Sequence, residues 1–164
     1  ERLEKKVFNL LMLNRMDYLT HEQQDIKNEF ELAPVIEHVI VSSNQFRPEI
    51  NFVLEADEST TFNGSEEPWR VVIENLLDNA LRYAKSEIII TVKKDYVSVY
   101  NDGSHIDQSS ATALFNAYEK GEGGQFGLGL AIVNRVTSNY GYRVSVHNER
   151  DGVEFIIRKD LNYE

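Results

Sequence analysis

The chain has 164 residues, 41% of them hydrophobic, which is enough for one domain or slightly more with a real core. Its 27 acidic and 17 basic residues leave a formal charge of −10, which argues against a nucleic-acid or anionic-membrane surface. With no cysteine there are no disulfides, no thiolate nucleophile and no thiolate metal site; no apolar run is long enough to span a bilayer, and nothing at the N-terminus resembles a signal peptide. These features suit a cytoplasmic protein. An anionic ligand on such a chain needs locally placed cations, metal ions or helix N-termini.

The opening stretch ERLEKKVFNLLMLNRMDYL places Leu3, Val7, Leu10, Leu11 and Met16 close to helical spacing, without glycine or proline. Leu13, Tyr18 and Leu19 widen that stripe beyond one face, more than a lone helix can bury. The expectation is a long helix of a bundle completed by other sequence or by a second chain, rather than one packed on its own domain. HEQQDIKNE then reads as a polar connector. APVIEHVIVSSNQF predicts a helix with Pro34 in its first turn, where a missing N–H is harmless, and EINFVLEA alternates like a half-buried strand. The strongest helix is SEEPWRVVIENLLDNALRYA, with Ser65 placed as N-cap and acids in the first turn. EIIITVKKDYVSVYN predicts a hairpin turning at Lys94 and Asp95, followed by a loop over residues 101–126. FGLGLAIVNRVTSNYG predicts another helix stopped at Gly141, and YRVSVHNERDGVEFIIRK a closing hairpin turning at Asp151 and Gly152. Helices mixed with antiparallel hairpins give an α+β class, a sheet with helices on one face.

Within the strongest helix, Asn75 and Asn79 are four apart and so share a face, about 40° from each other around the axis. Two mediocre helix formers on one stripe offer amide carbonyls to a hard cation and N–H donors to an anion. Magnesium takes only one or two protein oxygens and fills the rest of its shell with water and phosphate. Paired asparagines also occur as plain surface, so two further stretches matter. NDGSHI, residues 101–106, follows the strand YVSVY, where a glycine lets backbone approach a ligand. GGQFGLGLAIV, residues 123–133, sets glycines at the opening of a helix, which suits either N–H groups aimed at an anion or close packing of helix on sheet. It is neither a Walker loop nor a dinucleotide fingerprint.

Taken in this order, the pieces resemble the ATP-binding catalytic domain of bacterial sensor histidine kinases, whose fold is shared with gyrase-type topoisomerases and heat-shock ATPase chaperones. ENLLDNALRYA looks like the asparagine box, NDGSHI the first glycine box, FGLGLAIV the second, and ALFNAYEKG the phenylalanine-containing box of the nucleotide lid. The resemblance covers essentially the whole chain. It implies a two-layer α/β sandwich with a mixed sheet and helices on one face over residues 27–164. Residues 1–26 would supply the second helix of the dimerisation and histidine-phosphotransfer bundle plus its connector. It further implies that ATP and magnesium bind. Asn79 would coordinate the metal, with Asn75 beside it, Arg82 and Tyr83 would line the phosphate and ribose side, and Lys120 would reach the phosphates from the lid. Gly127, Leu128, Gly129 and Leu130 would cradle the phosphates, and Gly103 would pass under the base. Asn75, Asn79, Arg82 and Lys120 are the expected catalytic group. The sequence departs from the family at Asn101, where an aspartate normally accepts a bond from the adenine amine, and at His105, where a second glycine is usual. Asp102 is one residue out of register and should point away.

In ATP-hydrolysing relatives a glutamate four residues before the metal-binding asparagine activates water. Here that position is Asn75, which is no base at ordinary pH, while Glu74 lies about 140° round the helix from Asn79. An imidazole needs no such base, so the resemblance implies a kinase that phosphorylates a histidine. None of the four histidines, His21, His38, His105 and His147, has the acceptor's sequence context. The acceptor is expected on a bundle helix outside this chain, and a response regulator would receive the phosphoryl group. The whole sensor is expected to be membrane-anchored and homodimeric, and this piece alone a cytoplasmic monomer. A related regulatory module that binds nucleotide and a partner without phosphotransfer is the alternative. A serine kinase of the anti-sigma-factor type is disfavoured by Asn75, because a serine nucleophile needs a base.

Overall fold

The computed structural model describes residues 28–57, 59–110 and 127–161, so the expected bundle helix and most of the expected lid lie outside the described residues. A short strand β1 (Glu29–Glu31) leads directly into helix α1 (Leu32–Ser43), which buries Leu32, Val35, Ile36 and Val39 on one stripe. Strands β2 (Asn51–Ala56) and β3 (Thr61–Asn63) follow, then helix α2 (Glu66–Tyr83). Ser65 holds the N-cap of α2 in extended backbone, with Glu66 and Glu67 in the first turn, where the helix dipole favours acids. The predicted hairpin forms as β4 (Glu87–Lys93) and β5 (Tyr96–Asp102), and Asp95 takes φ 59° in the turn between them. Helix α3 (Gly127–Asn139) and the hairpin β6 (Tyr142–Asn148) and β7 (Gly152–Lys159) complete the order.

The main sheet runs β2-β4-β5-β7-β6, with β2 parallel to β4 and every other pair antiparallel. This is the mixed sheet expected. Its buried face follows from strand periodicity: Ile90 lies opposite Val99, and Val99 opposite Phe155, in one row. Ile88, Val92, Val97, Val153 and Ile157 extend that face, and helices α1, α2 and α3 pack beside β2, β5 and β6. Among the described residues no helix is long and apolar enough to cross a membrane.

Two details differ from the sequence reading. Residues 29–31 pair antiparallel with 61–63 as a separate two-stranded sheet, where no strand was expected. Three-residue strands carry no readable alternation; what anchors them is aromatic. Phe30 and Phe62 pack on the fully buried Trp69, with Tyr140 and Tyr142 on its other sides, and Trp69 Nε1 donates to the Asn63 carbonyl at 2.8 Å. The closing hairpin turns through residues 149–151, so Gly152 is the first residue of β7 rather than half of the turn. Its register against Asp102 and the bond from Glu149 N–H to its carbonyl, 2.8 Å, place it in the ladder.

Candidate functional site

Helix α2 presents its two asparagines differently. Asn75 is 7% exposed, and its Nδ2 donates to the Val71 carbonyl one turn back at 2.8 Å. Its Oδ1 points at the first turn of α3, where a β-carbon on Gly129 would sit 3.1 Å away. The absent side chain at Gly129 therefore makes room for the Asn75 carbonyl, and the two expected boxes meet there. Asn79, one turn on, is half-buried. Arg82 is exposed and Tyr83 half-buried in the last turn. Leu130 is 2% exposed and belongs to the core, so only its backbone is available to a phosphate. Gly127 opens α3, with Leu128 in the same turn. Lys120 lies outside the described residues, as do Phe115 and Tyr118 of the expected lid.

The first glycine box closes the other side. Gly103 has φ 130°, and a β-carbon there would come within 2.5 Å of the Tyr83 carbonyl, so only glycine lets β5 run on against the end of α2. Asn101 is buried on the core side of β5, opposite Ile88 and Val153. Its Nδ2 donates to the Asp102 carbonyl at 2.8 Å, leaving Oδ1 as the amide's acceptor. Asp102 points away from that face, as its register predicts. One carboxylate oxygen accepts backbone N–H bonds from Lys85, Ser86 and Glu87 at 2.9, 2.9 and 3.1 Å, and the other accepts the Ser86 hydroxyl. Partial burial works to raise its pKa, but the Ser86 hydroxyl and the three backbone donors outweigh it and bring the group down to about 2. His105 binds the Glu149 carbonyl through Nε2, and the Asn148 amide brackets Ile106, accepting from its N–H at 3.1 Å and donating to its carbonyl at 2.9 Å. The loop after β5 is thereby stitched to the β6–β7 turn, and His105 faces that turn.

Residues 64–163 match the family described as histidine kinase-, DNA gyrase B-, and HSP90-like ATPases. The chain belongs to that family. Among curated proteins it is similar to the sensor histidine kinase CssS of Bacillus subtilis, 34% identical over 161 residues, covering 95% of this chain and 35% of that protein. It is also similar to the sensor protein QseC of Escherichia coli, 26% identical over 159 residues, covering 93% of this chain and 35% of that protein. The chain thus spans about a third of the length of these relatives. Among solved structures, the nucleotide-free catalytic domain of the histidine kinase ThkA superposes with a TM-score of 0.71 at 25% identity, covering 81% of this chain and 95% of that one. The expected fold and the expected ATP-binding catalytic domain of the sensor histidine kinase type are both borne out.

For a member of this ATPase family, the donor set is the test of a divalent metal. Among the described residues no group of three or more His, Cys, Asp or Glu could hold one. A metal at α2 would rest on neutral amide oxygens and leave its charge for phosphate to balance, which fits magnesium carried by a nucleotide. The half-buried Asn79 and the Oδ1 of Asn75 fit that demand. Sequence reasoning missed Arg47, from the loop between α1 and β2. Its Nη1 donates to the carbonyls of Leu81 and Ala84 at 2.7 and 2.8 Å, and its Nε to Glu49 at 3.0 Å. Those partners lie 34 and 37 residues downstream, and no local pattern marks such a contact.

Proposed function

We propose that the chain binds magnesium-ATP between α2, the Asn101–Gly103 turn and the start of α3, and passes the γ-phosphoryl group to a histidine of a dimerisation bundle. The observation that carries this is the meeting of Asn75 with Gly129, which sets the asparagine helix beside the N-terminus of α3. Asn79 holds the metal, with the Asn75 Oδ1 beside it, and magnesium when bound neutralises charge on the phosphate oxygens. Backbone N–H groups of residues 127–130 cradle the phosphates at the positive end of α3. Arg82, Tyr83 and Lys120 flank the phosphate and ribose, and the Asn101 Oδ1 accepts from the adenine amine. The acceptor imidazole attacks phosphorus as the bond to the β-phosphate oxygen breaks, and ADP leaves. The site supplies positioning and charge neutralisation, which phosphoryl transfer chiefly requires. In the whole protein this domain serves a membrane-anchored, homodimeric sensor that phosphorylates a response regulator.

Calorimetry of ADP and ATP binding, with and without magnesium, tests the reading. Wild type should bind with micromolar-class affinity, about −8 kcal/mol, and gain affinity with magnesium. Asn79→Ala should lose most of that gain while keeping the metal-free part. Equal behaviour of the two proteins would remove Asn79 from the site.

A further inference from the structure

The last turn of α2 carries Arg82 and Tyr83 and ends one turn after Asn79, so whatever fixes that turn fixes the metal and phosphate side of the proposed site. Helices leave their final carbonyls without intrahelical partners, and these need a donor from elsewhere. Here the donor is Arg47. Its guanidinium bridges the carbonyls of Leu81 and Ala84, two buried residues on either side of Arg82 and Tyr83, while Glu49 holds its Nε edge. A cation at a helix C-terminus also complements the dipole. Immediately downstream the chain is held with the opposite polarity: the N–H groups of residues 85–87 converge on the Asp102 carboxylate, and the Ser86 carbonyl accepts from Asn51 at 2.9 Å. The junction from α2 to β4 is thus gripped by a cation on its carbonyls and by an anion on its amides.

We infer that Arg47 is a positioning residue for nucleotide binding: by capping α2 at Leu81 and Ala84 it sets the turn that presents Asn79 and Arg82 to magnesium and phosphate. This rests on the proposed function. Arg47 lies outside the residues proposed to touch nucleotide, so its effect should come through the turn it caps, most strongly in the metal-dependent part of affinity and to a smaller extent, through Arg82 and Tyr83, in the metal-free part. Geometry also distinguishes arginine from lysine here. Nη1 alone bonds both carbonyls, which an ammonium could also do, but lysine has no second nitrogen to bond Glu49 at the same time as Nε does.

The test is calorimetric titration of the whole chain with ADP, with and without magnesium, alongside thermal unfolding, for wild type, Arg47→Gln, Arg47→Lys and Arg143→Gln. Arg143 pairs with Asp160 at 3.2 Å on the surface, so its variant controls for the lost positive charge. Arg47→Gln should cut the magnesium-dependent gain by about tenfold or more, the scale of one charge-assisted hydrogen bond, with a smaller loss of metal-free affinity. Arg47→Lys should recover part of the gain, and Arg143→Gln should keep all of it. If Arg47→Gln unfolds, Arg47→Lys carries the test alone, and a wild-type gain in it overturns the inference. A lower unfolding temperature with the gain intact means Arg47 is merely structural and also overturns it. Wild type without any magnesium-dependent gain would bring down the proposed function, and this inference with it.

Discussion

Two adjacent residues at the end of β5 have opposite roles because a strand sends successive side chains to opposite faces. Asn101 lies in the core-facing row toward α2, while Asp102 turns to the loop entering β4 and binds three of its N–H groups. A carboxylate held at about pKa 2 against its usual 3.8 contributes stability that is complete above about pH 4. That contribution is lost as pH falls through the folded value, between about pH 4 and pH 2. Asp102→Asn should therefore lower the unfolding temperature at neutral pH and flatten the decline between those pH values, as followed by circular dichroism. A variant with the wild-type acid profile would show that the carboxylate is not the acid-labile clamp. Reading YVSVY as a strand, with Asp102 one residue out of register, was enough to send Asp102 away from the ligand side. Where it went was not readable, because its partners are backbone groups, which carry no sequence signature.

The helices and hairpins of the main sheet were legible because each repeats its period over twelve residues or more or is bounded by a turn signal, as with α2 and the Lys94–Asp95 turn. The β1–β3 sheet was not, because its existence depends on Phe30 and Phe62 reaching Trp69 rather than on local pattern. The candidate site was half legible at this scale. Both boxes were placed on the right elements, but the face shared by Asn75 and Asn79 did not reveal that Asn75 is buried and bonded to Val71. An asparagine side chain can bond the carbonyl one turn back through its Nδ2 and still turn its Oδ1 toward the start of α3. Gly129 tests that arrangement. Alanine is favoured over glycine within a helix by up to about 1 kcal/mol, so Gly129→Ala should leave thermal stability almost unchanged. Its β-carbon, 3.1 Å from the Asn75 Oδ1, forces that amide to give way by a few tenths of an ångström. Nucleotide affinity with magnesium should then fall several-fold, about 1 kcal/mol, although melting does not. Affinity that survives would mean that the Asn75–Gly129 contact is packing without bearing on the ligand.

For the molecule as a whole, the question is where a phosphoryl group bound by this domain can go. Water is the first competitor, and hydrolysis needs a base near the attacking oxygen. The position that would supply it holds Asn75, an amide, packed against α3. The chain's own histidines are the second. His105 is engaged with the Glu149 carbonyl, His147 lies beside the Ser145 hydroxyl at 3.3 Å, and His38 is exposed on α1; His21 lies outside the described residues. None of the three described is hydrogen-bonded to a carboxylate that would orient it as an attacking base or nucleophile. Incubated with γ-labelled ATP, the chain should release phosphate no faster than background and carry no acid-labile, base-stable label. Adding a bundle helix pair that bears a histidine acceptor should produce such a label on the added protein. Asn75→Glu separates the causes further. A carboxylate introduced at this buried position beside phosphate carries a desolvation cost and must displace the contact with Gly129, so it should weaken nucleotide binding more than it promotes hydrolysis. Rapid phosphate release by wild type would make the domain a hydrolase. A stable label on one of its own histidines would place the acceptor within the chain, and nucleotide binding without transfer to any supplied bundle would leave a regulatory nucleotide-binding module as the reading that fits.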